Sequence, residues 1–292
     1  MELRVLRYFL AVAREQNITR AAEALHVTQP TLSKQLMDLE EELGQKLFVR
    51  GKRKVTLTEA GEFLRRRAQE IAELADKTEE AFRKTDGEIS GNIWIACGET
   101  EGMRILVRAM KKLHERFPDV RFHLYSGNDA DVADRLDKGL ADFGLFVGTA
   151  NLDKYDHLGL PFSDTWGLLL RKDHPLAAKA GIERDDLKEI PLLCSRQALE
   201  QNEFSGWLGG DAGKLHILST HNLVRNTAIM VEEGLGCAVS LDRLVNTQGT
   251  TLVFRPFSPP LKADLVIVWK KYQVFSRPAE KFLALLQEEL GG

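Results

Sequence analysis

The sequence predicts an α/β protein with an N-terminal winged helix-turn-helix, a long linker helix and a two-lobed C-terminal region. Three observations support this prediction. An apolar helical pattern breaks at His26–Pro30 and resumes at once, a heptad of apolar residues begins at Leu64, and strand and helix patterns alternate from Gly91 onward. With 292 residues, the chain is long enough for more than one domain with its own core.

The N-terminal region reads as helix, helix, turn, helix and basic hairpin. Thr19 is a predicted N-cap for a helix over 20–25, and Thr28 for the next helix, where Pro30 is tolerated in the first turn. Gly44 provides the left-handed stop. The turn between the two helices is too short for a common axis, so they cross steeply. Residues 46–58 read as two short strands around a basic tip.

Charge is distributed unevenly along the chain. The net charge is −3, yet residues 1–58 hold ten Lys or Arg against seven Asp or Glu, a net charge of +3. Four of these cations lie in the tip, at Arg50, Lys52, Arg53 and Lys54. This pattern suits a polyanionic partner at one end of the protein, although a solvated basic loop would have the same composition.

Residues 59–86 predict one long helix with a heptad seam. Its members are spaced by 4, 3, 4, 3 and 4 residues: Leu64, Ala68, Ile71, Ala75, Thr78 and Phe82. A second copy of the chain is the predicted partner of this stripe, and packing on the helix's own chain is the alternative. Residues 85–88 are expected to form a hinge.

From Gly91 the alternation of strands and helices predicts parallel sheets covered by helices on both faces, arranged in two lobes. The predicted strands include 92–98, 142–148, 166–171 and 236–241, and a helix over 278–290 closes the chain.

Other classes of protein are disfavoured. No apolar run approaches the ~20 residues of a membrane span, and the N-terminus lacks a secretory pattern. Cys97, Cys194 and Cys237 form no CxxC pair and no metal-ligand spacing. Phosphate-binding and nucleophile-elbow motifs are missing as well. We therefore expect a cytoplasmic protein that is not an enzyme and needs neither metal nor cofactor.

The first sixty residues resemble the DNA-binding domain of LysR-type transcriptional regulators. An ordered set of residues carries the resemblance: Phe9, Val12, Ala13, Thr19, Ala21, Ala22, Leu25, Val27, Thr28, Gln29, Pro30, Ser33, Gln35, Leu39, Glu40, Leu43, Gly44, Leu47, Phe48, Arg50, Leu57, Thr58 and Gly61. Weaker matches follow at 126–128, 140–148 and 231–241. The resemblance implies promoter DNA with an interrupted palindrome, a homodimer or homotetramer, RNA polymerase as a further candidate partner, and a small-molecule effector held between lobes like those of a periplasmic binding protein.

The second helix of the steep pair is the predicted reading helix in the major groove. Gln29 can pair with an adenine edge, and Thr31 or Pro30 can contact a thymine methyl group. Ser33 and Lys34 can reach bases or phosphates, and Lys46 is a further candidate. We expect the basic tip to lie along the DNA backbone or in the minor groove. Pro30 could instead only shape the helix start, and Arg50 could brace the wing.

Effector-binding residues are expected where strands end. The candidates are Glu99, Thr100, Ser126, Gly127, Asn128, Phe146, Ser195, Arg196, Gln197, Thr220, His221 and Asn222. Val147 and Gly148 follow Phe146 at the same strand end. The resemblance supports Thr100 best. Arg196 could clamp a carboxylate effector, whereas Glu99 would suit an amine or pair with Arg196. His221 is predicted to be a neutral helix cap.

The predicted domains are 1–58 for DNA binding, 59–88 for the linker and hinge, and 89–292 for effector binding. Lobe I is expected over 89–162 and 265–292, and lobe II over 163–264. The alternative function is a redox-sensing regulator that uses Cys194 and Cys237.

Overall fold

The chain folds into two compact units, Met1–Lys84 and Thr85–Gly292. The computed structural model describes residues 1–51, 54–81, 89–148, 150–200, 202–209 and 215–291. The first unit includes the predicted linker helix. None of the described helices is both long and apolar enough to cross a membrane.

The first unit is a winged helix-turn-helix. Its elements are α1 (Leu3–Glu15), α2 (Ile18–Ala24), α3 (Gln29–Leu43), β1 (Phe48–Arg50), β2 (Val55–Leu57) and α4 (Glu59–Ala81). Strands β1 and β2 pair in antiparallel fashion, with Phe48 opposite Leu57.

Local signals explain most of these boundaries. Thr28 caps α3, because its side chain accepts a hydrogen bond from the Thr31 N–H, and Gly44 ends the helix at φ 64°. The predicted Thr19 cap is wrong. Asn17 caps α2 instead, accepting from the Arg20 N–H at 3.1 Å, so α2 begins earlier than expected.

The core of this unit lies between α1, α3 and α4. Leu6, Phe9 and Val12 of α1 meet the fully buried Leu32 of α3, and Phe48 packs on Phe9 with ring centroids 5.2 Å apart. The face of α3 that carries Leu32, Leu36 and Leu39 therefore points inward, which leaves its opposite face toward solvent.

The second unit has two lobes built on mixed sheets. The first lobe begins with β3 (Gly91–Cys97), α5 (Met103–Arg116), β4 (Val120–Ser126), α6 (Asp129–Asp137) and β5 (Phe143–Val147). The chain continues through β6 (Tyr155–Arg171), β7 (Leu192–Ser195), α7 (Arg196–Glu200), α8 (Asn202–Trp207), β8 (Ile217–His221), α9 (Val224–Glu232), β9 (Cys237–Leu241), β10 (Leu252–Pro256), β11 (Lys262–Lys270) and α10 (Arg277–Gly291).

The strand order is β4-β3-β5-β11-β6-β9-β7-β8, with β10 also paired to β6. Strands β3, β4 and β5 are parallel, as are β7, β8 and β9. The predicted parallel pairing is found in these strands, whereas β6, β10 and β11 pair in antiparallel fashion, so the sheets are mixed. Strand β6 pairs with β11 as far as Thr165 and with β9 from Trp166, so one strand runs through both lobes.

Candidate functional site

The exposed face of α3 carries the predicted DNA-contacting residues. Gln29, Pro30, Thr31 and Lys34 are exposed, and Ser33 is half-buried. The Gln29 Nε2 donates a hydrogen bond to the Ser33 Oγ at 3.0 Å. Since these residues are four apart on the helix, the bond orients the Gln29 amide before any ligand arrives.

The wing is described only in part. Lys54 is exposed, and its carbonyl accepts from the Gly51 N–H at 3.0 Å. Lys52 and Arg53, together with the side chain of Arg50, lie outside the described residues.

A buried carboxylate ties the wing to α3. Glu40 is 4% exposed, and its Oε1 accepts from the N–H groups of Leu47 at 2.8 Å and Phe48 at 3.2 Å. Burial opposes ionisation, but these two N–H groups and the Lys46 ammonium outweigh it and hold the pKa of Glu40 below its ordinary value. Lys46 Nζ lies 3.1 Å from the Glu40 Oε2, so this predicted DNA contact has an internal partner.

The predicted seam of α4 is divided between two environments. Leu64 and Ala68, expected to pair two chains, instead lie in the core of their own unit. Ile71 is 41% exposed and Ala75 half-buried, whereas Phe82 lies outside the described residues. A different set of large apolar side chains is open to solvent: Phe63, Ile71 and Leu74.

A cleft with a cavity volume of about 60 Å³ opens in the second unit at the carboxyl ends of its parallel strands. Seven of the predicted effector residues line it: Glu99, Gly127, Asn128, Ser195, Gln197, His221 and Asn222. The other lining residues are Gly98, Val147, Trp166, Val224, Val239, Ser240, Leu241 and Leu244. Val147 follows a strand end, as the predicted residues do. Sequence reasoning missed the other seven, of which Trp166, Val239 and Leu241 are apolar strand residues that resemble ordinary core.

Five predicted effector residues do not line the cleft. Phe146 and Thr220 are one position out of phase with Val147 and His221, since side chains alternate along a strand. Phe146 is 2% exposed and packs on Tyr155 in the core of its lobe. Ser126 and Arg196 are exposed but lie outside the cleft, so Arg196 is not in place to clamp a bound carboxylate.

Thr100 has a structural role instead. It is 8% exposed, and its hydroxyl donates to the Asp164 Oδ2 on β6 at 2.5 Å while accepting from the Gly102 N–H at 2.9 Å. Burial raises the pKa of the Asp164 carboxyl. Both hydrogen-bonding functions of Thr100 are therefore engaged within the protein.

Two side chains bridge the cleft from one lobe to the other. Glu99 follows β3 and accepts from the Val224 N–H at the start of α9 at 2.8 Å. Gln197 of α7 donates to the Val147 carbonyl at 3.0 Å and accepts from the Asp129 N–H at 3.1 Å. The lobes are thus joined by hydrogen bonds from two residues that line the cleft.

His221 lies on the cleft wall with its Nδ1 buried and without a hydrogen-bond partner in the described structure. Burial lowers the pKa of His221 to about 4, so the ring is neutral at pH 7. The predicted role as a helix cap is wrong, because Leu223 occupies the N-cap position of α9. Within the described ranges, no group of His, Cys, Asp and Glu could hold a metal ion.

Two family models match the chain. The model for bacterial regulatory helix-turn-helix proteins of the lysR family matches residues 3–62, and the model for the LysR substrate binding domain matches residues 86–291. The chain belongs to the LysR family. It is a DNA-binding transcriptional regulator with an effector-binding domain, and LysR regulators are not enzymes.

Full-length relatives share this LysR architecture. The Hca operon transcriptional activator HcaR of Escherichia coli K12 is 32% identical over 295 residues, which cover 99% of this chain and 98% of HcaR. CbnR complexed with its target DNA superposes with a TM-score of 0.74 at 19% identity, covering 99% of this chain and all of that one. A full-length OxyR variant from Pseudomonas aeruginosa superposes with a TM-score of 0.55 at 26% identity, covering 99% of this chain and 94% of that one.

The cysteines of this LysR regulator are poorly suited to redox sensing. All three thiols are buried. Burial raises the pKa of Cys194 to about 12 and that of Cys237 to about 11, and it also raises the pKa of Cys97. Because the thiolate is the reactive form, these sites favour the effector-binding function over the redox alternative.

Proposed function

We propose that a dimer of this regulator reads an interrupted palindrome through α3, and that a small molecule bound between its lobes changes promoter binding. The cleft supports the effector-binding part of this proposal, because polar residues from both lobes converge there beside an apolar wall. A ligand that binds one arrangement of the lobes more tightly shifts the population toward it.

The Gln29–Ser33 pair supports base reading by α3. One N–H of the Gln29 amide donates to Ser33. The second N–H and the Oε1 are left to meet the N7 and N6 groups of an adenine in the major groove. This orientation makes Gln29 the residue that we expect to select a base.

Replacing Gln29 by Ala should weaken binding only to the preferred sequence. Preferred duplexes are selected from a randomised pool with the full chain, and affinities are then measured for a selected and an unrelated duplex. We expect a loss of roughly 5- to 150-fold on the selected duplex, corresponding to about 1–3 kcal/mol per bidentate pair.

Lys54→Ala is the control for the Gln29 experiment. Loss of a phosphate contact should weaken binding to both duplexes equally. It should also reduce the slope of log affinity against log salt concentration by about one. Equal weakening of both duplexes by Gln29→Ala would contradict base reading by that residue.

Dimerisation is proposed to use the exposed apolar face of α4. Phe63, Ile71 and Leu74 are 58%, 41% and 43% exposed, and their spacing of eight and three residues places them on one side of the helix. Burying such side chains against a second copy stabilises an assembly by up to about 1.5–3 kcal/mol each.

Leu74→Glu should therefore weaken the dimer by on the order of tenfold or more, as measured by sedimentation equilibrium of the full chain. Gln69→Glu places the same charge on another side of α4 and should leave self-association unchanged. An unaltered dimer with Leu74→Glu would place the interface elsewhere. Assembly into a tetramer and contact with RNA polymerase stay predictions.

A further inference from the structure

Glu99 is the one charged side chain among the described residues that line the cleft. The wall around it is apolar, with Trp166, Val147 and Leu241 contributing, and the polar residues beside it are neutral. Arg196, the cation expected to attract an anion, lies outside the cleft. The fixed charge that a bound ligand meets is therefore negative.

The Glu99 carboxylate occupies the position that an anionic ligand would prefer. The first N–H groups of α9 have no partner within their own helix and carry a partial positive charge, and the N-cap residue Leu223 has no side chain that could accept from them. Glu99 reaches across from the other lobe and accepts the Val224 N–H at 2.8 Å. A free carboxylate could bind this terminus only by displacing Glu99.

The other polar side chains of the lining add no charge. Ser195, Gln197 and Asn222 are neutral, and the His221 Nδ1 is buried, so it is not open to a ligand in the cleft. The cleft thus presents one carboxylate beside an apolar wall and neutral polar groups.

We propose that Glu99 sets the charge selectivity of the effector cleft. It excludes carboxylates and selects a ligand with an apolar body and a hydrogen-bond donor, either an amide or an ammonium group, facing Glu99. This inference rests on the proposed effector function of the cleft and replaces the expectation of a carboxylate effector. Glu99 is then a specificity-determining residue.

The test uses the full chain and three probes with one ring and different heads: benzoate, benzamide and benzylamine. Their affinities are measured by titration calorimetry for the parent and for Glu99→Gln, which removes the charge and keeps the shape. For the parent, we expect benzamide or benzylamine to bind on the order of tenfold more tightly than benzoate. With Glu99→Gln, benzoate should gain and benzylamine should lose on the order of tenfold.

Two matched variants separate charge from structural damage. Glu99→Asp keeps the charge and should keep benzoate weak. Glu101→Gln removes a neighbouring carboxylate that pairs with Arg104 and does not line the cleft, so all three affinities should stay as in the parent. If tryptophan fluorescence shows that Glu99→Gln unfolds the second unit, the preference of the parent among the three probes alone tests the inference.

Several outcomes would overturn the inference. They are equal binding of benzoate and the donor probes to the parent, an unchanged benzoate affinity with Glu99→Gln, and no binding of any probe up to about 10 mM. Sequence-specific DNA binding is measured on the same preparations. If the parent shows no sequence-specific DNA binding, the proposed function is contradicted. If the parent binds DNA specifically but the probe experiment fails, only the charge selectivity is contradicted.

Discussion

Glu40→Ala is expected to lower the free energy of unfolding of the N-terminal unit by about 3 kcal/mol, a large share of the roughly 5–15 kcal/mol of a typical domain. The substitution leaves the N–H groups of Leu47 and Phe48 buried without their acceptor. Because these groups belong to the start of the wing and are held by a side chain of α3, the wing should also lose its position beside α3, and DNA affinity should fall with stability. Urea titration of the full chain measures the effect.

Two optical signals separate the units in this experiment. All four tryptophans, Trp94, Trp166, Trp207 and Trp269, belong to the second unit, so their fluorescence reports that unit, whereas far-ultraviolet circular dichroism reports both. Glu41→Ala removes a neighbouring exposed carboxylate and should change stability by less than about 0.5 kcal/mol. Equal effects of the two substitutions would show that the buried hydrogen bonds of Glu40 do not stabilise the unit.

The pH dependence gives the Glu40 experiment a second readout. The pKa of this carboxyl is lower in the folded than in the unfolded chain, so its stabilising contribution is present above the ordinary pKa of 4.5 and is lost as the pH falls through the folded value. Stability of the first unit should therefore fall less steeply between about pH 5 and pH 3 in Glu40→Gln than in the parent.

Gly61→Ala is expected to destabilise the same unit by about 2–3 kcal/mol, although alanine is the better helix former by ~1 kcal/mol. Gly61 lies in the first turn of α4, and a Cβ atom there would be 2.1 Å from the backbone oxygen of Leu47. That oxygen accepts a hydrogen bond from the Thr58 N–H at 3.0 Å, so it cannot move away without breaking this bond at the base of the wing. The same urea titration measures this effect.

Gly206→Ala is the matched control for the helical glycine. It also replaces a glycine within a helix, α8, but an added Cβ there meets no atom within 4 Å. Stability should be unchanged or rise by up to about 1 kcal/mol. A stabilising Gly61→Ala would show that the loop at Leu47 moves aside easily.

Elements with local hydrogen-bond signals were predictable from sequence. The start of α3 at Thr28–Pro30 and its end at Gly44 depend on groups within four residues of one another. Strand β6 gave no such signal in its first half. Gly159 and Pro161 interrupt it, and its partner β11 lies about a hundred residues away.

The heptad of α4 shows why periodicity has a limit. An apolar stripe predicts that one side of a helix is buried. Packing against the same chain and packing against a second copy require the same spacing, so the spacing does not distinguish between them. Leu64 and Ala68 pack against their own chain, and the exposed side chains of Phe63 and Leu74 lie on another side of the helix.

The sequence by itself determined the family, the winged helix-turn-helix, the bounds of α3 and seven residues of the cleft, because these depend on short-range patterns and on residues that follow strand ends. Only the tertiary structure decided that Val147 rather than Phe146 faces the cleft, that Thr100 bonds to Asp164, and that Glu99 caps α9 from the opposite lobe. Each of those outcomes depends on strand phase or on a partner 64 to 125 residues away, and the pairing of such distant groups follows from how the sheets pack.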